Sequence, residues 1–390
     1  MQFSSIFATR VSALADTTIR DTLALAAKPG VISLGGGIPN PSLFPLARVR
    51  SILADLSDAE LQTGLQYSGT QGMLSIRQQI ADMLSEQWGR AISPNHVLIT
   101  TGSQQALDIV AKTFIEPGDA VAIENPSYLA AVSAFQTNAP QFHPIALDQE
   151  GIDCKKLEAV LITHSPKLLY AIPTFQNPTG CVWSEKNRKQ VVSLTTKHNC
   201  LVVEDDPYSE LYFDTERPPK SLAAQNTNTI YLGTFSKTLL PGLRIGFMVA
   251  DPELISVFTL IKQSMDLHSS TLSQVLLSKL LDDQSWYQNH LKTLRSYYRK
   301  QQGHMVQVLK THLPRTIEWN TPAGGLFVWL KIPGIDSREL LNRAVAKGVA
   351  FMPGYAFYAG KPDYETIRLT FATATEQDIE QAVRKLASVL

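Results

Sequence analysis

One lysine stands in a segment whose residue types suit chemistry on an aldehyde and a phosphate. Lys237 follows Ser236 in a small polar turn just after an apolar run, and Arg244 lies seven residues further along, past a Pro-Gly pair. A lysine amine forms a Schiff base with an aldehyde when burial or nearby cations lower its pKa. The Thr234 and Ser236 hydroxyls and the Arg244 guanidinium suit a phosphate group. Taken alone, a surface lysine beside a structural arginine explains this segment equally well.

A second segment, TGSQQALD at residues 101–108, suits the same phosphate chemistry. Gly102, Ser103 and Gln104 follow an apolar run and open a helical pattern. Free N–H groups and the helix dipole attract anions at such a point, and Gly102 lets the backbone approach closely. An ordinary helix N-cap has the same residue types.

Two further segments place polar side chains after apolar runs. Asn177 lies in FQNPTG, and Asp205 and Tyr208 are three residues apart in EDDPY. A carboxylate at a strand end pairs with a protonated ring nitrogen, and a tyrosine hydroxyl donates to a phenolate-like oxygen nearby. A plain turn and a solvated acidic loop remain the alternatives.

The elements that must position these side chains follow from the pattern around them. Short apolar runs alternate with longer amphipathic stretches, which predicts βαβ crossovers and a mostly parallel sheet. The predicted strands cover residues 96–101, 120–124, 168–172, 201–204 and 229–232. The predicted helices between and after them cover residues 104–115, 128–137, 184–198, 253–264 and 286–313.

The division into domains follows from a change of pattern near residue 285. We expect a large domain over residues 46–285, with a seven-stranded type of sheet flanked by helices. Residues 286–390 predict a smaller α+β domain, and residues 1–45 are expected to join it.

Composition excludes several classes of protein. The chain has 390 residues, and its 35 Lys and Arg residues balance 35 Asp and Glu residues. A net charge of zero argues against nucleic acid or a membrane surface as a partner. Three widely spaced cysteines without a C-x-x-C motif, and no recognisable signal peptide, predict a reduced, cytoplasmic protein. The eight histidines show no ligand-like spacing, so no metal site is expected.

Read in order along the chain, these motifs resemble a known family. GTFSKTLLPGLRIGF, FQNPTG, EDDPY, TGSQQALD and ENPSY together are similar to the fold-type I pyridoxal-phosphate aminotransferases of class I and II. The resemblance runs over nearly the whole chain, and is strongest to the branch that acts on 2-aminoadipate, kynurenine and multiple substrates. It implies transfer of an amino group from an L-amino acid to a 2-oxo acid, with 2-oxoglutarate as the expected acceptor, by a ping-pong mechanism.

The resemblance also implies a role for each motif residue. Lys237 is expected to be the Schiff-base lysine and proton carrier, and Asp205 to hold the pyridine nitrogen. Asn177 and Tyr208 are expected to bind the 3′-oxygen, and Tyr128 to stack on the ring. The resemblance assigns the phosphate to Gly102, Ser103, Gln104, Ser236 and Arg244.

Four more residues are implied in substrate binding or in assembly. Arg368, in TIRLTFA, matches the arginine that clamps the substrate carboxylate, and Gly37 lies in a glycine-rich segment expected to cover the substrate. Arg20 falls where some relatives meet a side-chain carboxylate. Tyr67 matches a tyrosine that reaches the phosphate from a second subunit, which implies a homodimer with shared active sites.

Two other functions fit parts of the same pattern. One is a pyridoxal-phosphate lyase or decarboxylase on the same scaffold, because a fold does not fix a reaction. The other is a non-catalytic cofactor-binding protein. Related gene regulators carry a winged helix before the same body, whereas here the body starts within the first twenty residues, so we expect no such module.

Overall fold

The architecture is that of a computed structural model, which describes residues 6–8, 10–11, 29–214 and 216–390. Apolar runs form its strands, and amphipathic stretches form its helices. Within these residues the strands are β1 (Ile32–Ser33), β2 (Val97–Thr100), β3 (Ala120–Asn125), β4 (Gln141–Ala146), β5 (Leu168–Ala171), β6 (Leu201–Asp206), β7 (Thr229–Thr234), β8 (Gly246–Val249), β9 (Glu318–Trp319), β10 (Phe327–Lys331), β11 (Val349–Ala350), β12 (Met352–Pro353) and β13 (Thr366–Thr370).

Several helices begin after a side chain that caps the first turn. Ser184, for example, accepts a hydrogen bond from the Asn187 N–H at the start of one helix, and Asp251 caps another. Within the described residues the helices are α1 (Leu46–Asp55), α2 (Asp58–Leu65), α3 (Leu74–Trp88), α4 (Ser103–Phe114), α5 (Leu129–Gln136), α6 (Cys154–His164), α7 (Glu185–Lys197), α8 (Leu222–Gln225), α9 (Pro252–Asp266), α10 (Thr271–Asp282), α11 (Gln284–His312), α12 (Ser337–Ala346) and α13 (Glu376–Ala387).

A seven-stranded sheet forms the centre of the molecule, in the order β2-β8-β7-β6-β5-β3-β4. Strand β8 runs antiparallel to both of its neighbours, and the other pairs that join β7 to β4 are parallel. Gly246 at the start of β8 therefore pairs with Thr100 at the end of β2 and with Thr234 at the end of β7. This reversal brings the segment before β8 to the edge where β2 and β7 end.

Both faces of this sheet are covered by helices, as a parallel sheet requires. On one face Leu107, Phe135 and Phe258, from α4, α5 and α9, are fully buried against the strands. On the other face Leu157 and Val191, from α6 and α7, are fully buried. The expected α/β class is confirmed.

A second, antiparallel sheet lies beyond the central one. Its order is β12-β13-β10-β9, and α11 and α13 pack on it through an apolar cluster that includes Tyr298 and Ile379. Strand β1, near the amino terminus, pairs in parallel with β11. The pairing is consistent with the expected joining of residues 1–45 to the smaller domain, and the boundary at residue 285 stays a prediction.

Candidate active site

Most of the motif residues line one cavity of about 640 Å³ at the carboxyl edge of the central sheet. Asp205 lies at the end of β6, Asn177 follows β5, and Lys237 follows β7. Parallel strands deliver the segments that follow them to one edge, which is where open α/β sheets bind ligands. The cavity is lined by Ser33, Gly35, Gly36, Gly37, Ile38, Pro39, Ser103, Gln104, Tyr128, Leu129, Ala130, Ile172, Asn177, Asp205, Pro207, Tyr208, Thr234, Ser236, Lys237, Pro241, Arg244, Met352 and Arg368.

The Lys237 amine lies within this cavity among other cations. Its Nζ donates to the Gly37 carbonyl at 2.8 Å. Burial, followed by the positive charges of Arg368 and Arg244, lowers the pKa of Lys237 from 10.5 to about 8. A larger share of the amine is therefore neutral, and so nucleophilic, near neutral pH than for an exposed lysine.

The Asp205 carboxylate has one oxygen engaged and one free. Tyr170 donates its hydroxyl to Oδ2 at 2.8 Å, while the buried Oδ1 has no hydrogen-bond partner among the described residues. Burial raises the pKa of Asp205 to about 7, and the negative charge of Asp206 adds to that rise. A buried carboxylate oxygen of this kind needs a donor, preferably a charged one.

The Arg368 guanidinium is held in place by two hydrogen bonds and two aromatic rings. Its Nη1 donates to Asn177 Oδ1 and its Nη2 to the Gly35 carbonyl, each at 2.7 Å. The guanidinium carbon lies 4.1 Å from the centre of the Phe327 ring and 5.0 Å from that of Phe357. Burial lowers its pKa to about 10, so it stays charged at neutral pH. Stacking and bidentate geometry favour arginine over lysine here.

Two tyrosines line the middle of the cavity. Tyr208 is 3% exposed, and burial raises its pKa, so it stays a neutral donor. Burial also raises the pKa of Tyr128 to about 12. Tyr128 directly precedes α5, and the preceding Ser127 N–H donates to the Phe357 carbonyl at 2.7 Å.

The amino terminus of α4 and the segment before β8 lie together at one end of the cavity. Gly102 has φ +77°, and a Cβ placed there would lie 2.3 Å from Arg244 Nη2. The absence of a side chain thus lets the guanidinium lie against the backbone that opens α4. Ser236, whose N–H donates to Thr234 Oγ1 at 3.1 Å, lines the same end.

Comparison with known proteins decides the family. The family model of class I and II aminotransferases matches residues 30–386. The chain belongs to the class I and II aminotransferases. It is a pyridoxal-phosphate-dependent transaminase that moves an amino group from an amino acid to a 2-oxo acid, and none of these comparisons favours a lyase.

Relatives of this aminotransferase match along their whole length. The aromatic-amino-acid aminotransferase 1 of Thermococcus litoralis is 37% identical, over 100% of this chain and 95% of the relative. The crystal structure of Pyrococcus horikoshii kynurenine aminotransferase, solved with PMP, is 38% identical, with a TM-score of 0.95 over 100% of this chain and 97% of that one. The alpha-aminoadipate aminotransferase of Thermus thermophilus, complexed with N-(5′-phosphopyridoxyl)-L-leucine, is 37% identical, with a TM-score of 0.93 over 100% and 98%.

The cavity of this aminotransferase fits pyridoxal phosphate by its own chemistry. The unpartnered Asp205 Oδ1 suits a pyridinium N–H, and the lowered pKa of Lys237 suits an amine that reacts with an aldehyde. The Arg244 guanidinium, which lies against the backbone at Gly102, suits a phosphate. Among the described residues no group of three or more His, Cys, Asp or Glu side chains could hold a metal ion.

Two predicted residues that the structure describes, Gly102 and Tyr67, do not line the cavity. Tyr67 is 79% exposed, and its ring meets that of His268 edge-on at 5.7 Å. Its expected role, which involves a second subunit, stays a prediction. Arg20 lies outside the described residues.

Sequence reasoning missed residues that support this site. Tyr170, inside strand β5, is fully buried against Asp205. Glu124, also fully buried, accepts hydrogen bonds from the Ile172 N–H and from Gln176, next to Asn177. The signal available was a polar side chain inside an apolar strand, which usually needs a buried partner. Apolar lining residues such as Ile38, Leu129 and Met352 carry no such signal.

Proposed function

We propose that this aminotransferase takes its amino group from L-amino acids with aromatic or aliphatic side chains and passes it to 2-oxoglutarate. The observation that carries the proposal is that Lys237, Asp205 and Arg368 line one cavity whose remaining wall is largely apolar, with Ile38 and Met352 among its residues. The names of the relatives, which include aromatic-amino-acid and kynurenine aminotransferases, support the same donors.

Bound pyridoxal phosphate supplies a ring that withdraws electrons from the substrate Cα. Asp205 Oδ1 is proposed to keep the ring nitrogen protonated. Lys237 would hold the cofactor through its amine and would carry the proton that leaves the substrate Cα. Because the pKa of Lys237 is lowered to about 8, its amine can accept that proton and release it near neutral pH.

The remaining residues orient the reactants. Arg368 clamps the substrate carboxylate, with Gly37 beside it, and so fixes the Cα–H bond relative to the ring. Asn177 and Tyr208 bind the 3′-oxygen, and Tyr128 stacks on the ring face. Arg20 is proposed to meet the second carboxylate of 2-oxoglutarate. The phosphate is assigned to Ser103, Gln104, Ser236, Arg244 and the backbone after Gly102.

A homodimer with shared sites completes the proposal. The exposed Tyr67 and a second hollow of about 700 Å³ beside the phosphate end support it, since Gln104 and Arg244 line both hollows. We place the protein in the cytoplasm, because Cys154, Cys181 and Cys200 are free thiols. No described helix has the length and apolar character that crossing a membrane requires.

The test compares the purified protein with its Lys237→Ala variant. The visible absorbance of bound pyridoxal phosphate should change on addition of phenylalanine, leucine or kynurenine, and should return on addition of 2-oxoglutarate. Lys237→Ala should lose kcat by a hundredfold or more, roughly the contribution of a general acid and base. Lys189→Ala, which removes an exposed lysine paired with Glu185, is the control and should behave as wild type.

Two results would contradict this proposal. Near-normal turnover by Lys237→Ala would remove the lysine from the mechanism. An absorbance that responds to glutamate and aspartate but to none of the aromatic or aliphatic donors would overturn the proposed donor class.

A further inference from the structure

The Asp205 carboxylate is oriented by a residue that does not reach the cavity. Tyr170 lies on β5, the strand beside β6, and donates its hydroxyl to Asp205 Oδ2 at 2.8 Å. Its ring is fully buried and meets the Phe135 ring edge-on at 5.5 Å, which fixes where the hydroxyl points. Asp205 lines the cavity and Tyr170 does not. Any effect of Tyr170 on chemistry must therefore pass through Asp205.

The two carboxylate oxygens thus differ in their surroundings. Oδ2 is engaged by Tyr170, whereas Oδ1 is buried and has no partner within the described part of the chain. Without that hydrogen bond, rotation about the Cβ–Cγ bond of Asp205 could present either carboxylate oxygen to the cavity. We propose that Tyr170 is a positioning residue that holds Oδ2 and so leaves Oδ1 as the oxygen that meets the ring nitrogen of pyridoxal phosphate. The proposal rests on the assignment of Asp205 to that nitrogen.

The electrostatic surroundings make such a donor necessary. Asp206 follows Asp205 on the same strand, and both carboxylates are buried. Burial and the charge of Asp206 raise the pKa of Asp205, while the Tyr170 hydrogen bond and the charge of Lys237 lower it. A neutral hydroxyl donor stabilises the ionised carboxylate without bringing a second cation that would compete with the ring.

The neighbouring strand provides a matched control. Tyr231 on β7 donates its hydroxyl to Asp206 Oδ2, also at 2.8 Å and also buried. The two pairs share residue types and bond length, but Asp206 does not line the cavity that contains Lys237. Tyr231→Phe therefore loses a buried hydrogen bond of the same kind, but at a carboxylate that does not meet the ring nitrogen.

The experiment titrates the full-length protein, stripped of cofactor, with pyridoxal phosphate and with its 1-deaza analogue, in which carbon replaces the ring nitrogen. We expect Tyr170→Phe to bind pyridoxal phosphate about tenfold more weakly than wild type, since a hydrogen bond to a charged group is lost. Its affinity for the 1-deaza analogue should match wild type, because that ring has no N–H for Oδ1 to meet. Tyr231→Phe should match wild type for both compounds.

Several results would overturn the role of Tyr170. Equal weakening for both compounds would show a merely structural residue, and so would a Tyr231→Phe variant with the same selective loss. No weakening for either compound would show that Asp205 is oriented otherwise.

If Tyr170→Phe does not fold, 3-fluorotyrosine at position 170 keeps the hydroxyl and alters its acidity. The ratio of the two affinities should then differ from wild type, and an unchanged ratio refutes the proposal.

The same titration distinguishes a failure of the Tyr170 proposal from a failure of the assignment of Asp205 to the ring nitrogen. Wild-type protein that binds both compounds equally would refute the pairing of Asp205 with the ring nitrogen. A wild-type preference for pyridoxal phosphate that Tyr170→Phe retains in full would refute only the role of Tyr170.

Discussion

At the scale of single residues, the surroundings of Lys237 determine how much of its amine is neutral. Burial and the cations Arg368 and Arg244 lower its pKa to about 8. A drop from 10.5 to about 8 raises the neutral fraction of the amine at pH 7 by about 300-fold. The cavity therefore supplies a nucleophile at a pH where an exposed lysine is almost wholly charged.

This pKa predicts how capture of the cofactor depends on pH. The rate at which cofactor-free protein gains the absorbance of bound pyridoxal phosphate should rise with pH and level off above about 8, because only the neutral amine reacts. Arg368→Gln removes a nearby positive charge, so the rise should move to higher pH. Stopped-flow absorbance measures both profiles.

Arg384→Gln, an exposed arginine paired with Glu380, is the control and should leave the profile unchanged. A rate that keeps rising toward pH 10.5 in wild type would show that Lys237 has an ordinary pKa. A profile unmoved by Arg368→Gln would show that the charge of Arg368 does not lower the pKa of Lys237.

Motif residues can be predicted from sequence, and their supporting residues cannot. Lys237, Asp205 and Asn177 stand in polar turns after apolar runs, so their place at a strand end follows from the pattern. Tyr170 stands inside an apolar run, where a tyrosine is normally read as core. Its bond to Asp205 depends on β5 and β6 being neighbours in register, which no local pattern encodes.

At the scale of elements, the close approach of α4 to the segment before β8 builds the phosphate end. Gly102 makes that approach possible, with φ +77° and with Arg244 in the space a Cβ would take. The five predicted strands of the central sheet agree with the structure to within two residues at each end. Strand β8 and its reversed direction escape prediction, because pairing direction leaves no trace in a four-residue apolar run.

Gly102→Ala should weaken the binding of pyridoxal phosphate by about tenfold to a hundredfold, because its Cβ displaces the Arg244 guanidinium and removes a charged contact. Gly118→Ala is the matched control. Gly118 also has a positive φ, +90°, but no atom lies within 4 Å of its added Cβ. Both variants should lose about 1 to 3 kcal/mol of stability, because a residue with a side chain is strained at a positive φ.

The two variants are titrated with pyridoxal phosphate, and their thermal unfolding is measured. The unfolding reports the cost of backbone strain, and the titration reports the loss of the Arg244 contact. Equal affinities in Gly102→Ala and Gly118→Ala would mean that Arg244 does not bind the phosphate. A loss confined to Gly102→Ala supports the assignment.

At the scale of the whole molecule, the proposed site is incomplete within one chain. Tyr67 projects into solvent, and Leu65 and Leu267 near it are also exposed apolar side chains. Apolar side chains clustered on a surface commonly mark an interface. Periodicity could not predict that these side chains are exposed, because interface residues and core residues look alike in sequence. It also could not predict what covers them.

Mixing two inactive variants tests whether sites are shared. In a mixed dimer of Lys237→Ala with Tyr67→Ala, one site holds both substitutions and the other holds neither. Random re-association should therefore restore about a quarter of the wild-type activity at limiting pyridoxal phosphate, as two-fold symmetry requires. The matched control mixes Lys237→Ala with Arg368→Ala, which act in the same chain and should restore nothing. If the Tyr67 mixture also restores nothing, Tyr67 acts within its own subunit.

The pairing of β1 with β11 has a consequence for motion. The Leu34 N–H donates to the Ala350 carbonyl, and the Leu34 carbonyl accepts from the Thr370 N–H. The carbonyl of the next residue, Gly35, accepts a hydrogen bond from the side chain of Arg368, which lies on β13. The start of the glycine-rich segment is therefore held both by backbone bonds and by the Arg368 guanidinium. A displacement of that guanidinium would break a hydrogen bond that also holds the segment, so these two parts of the cavity wall are mechanically linked.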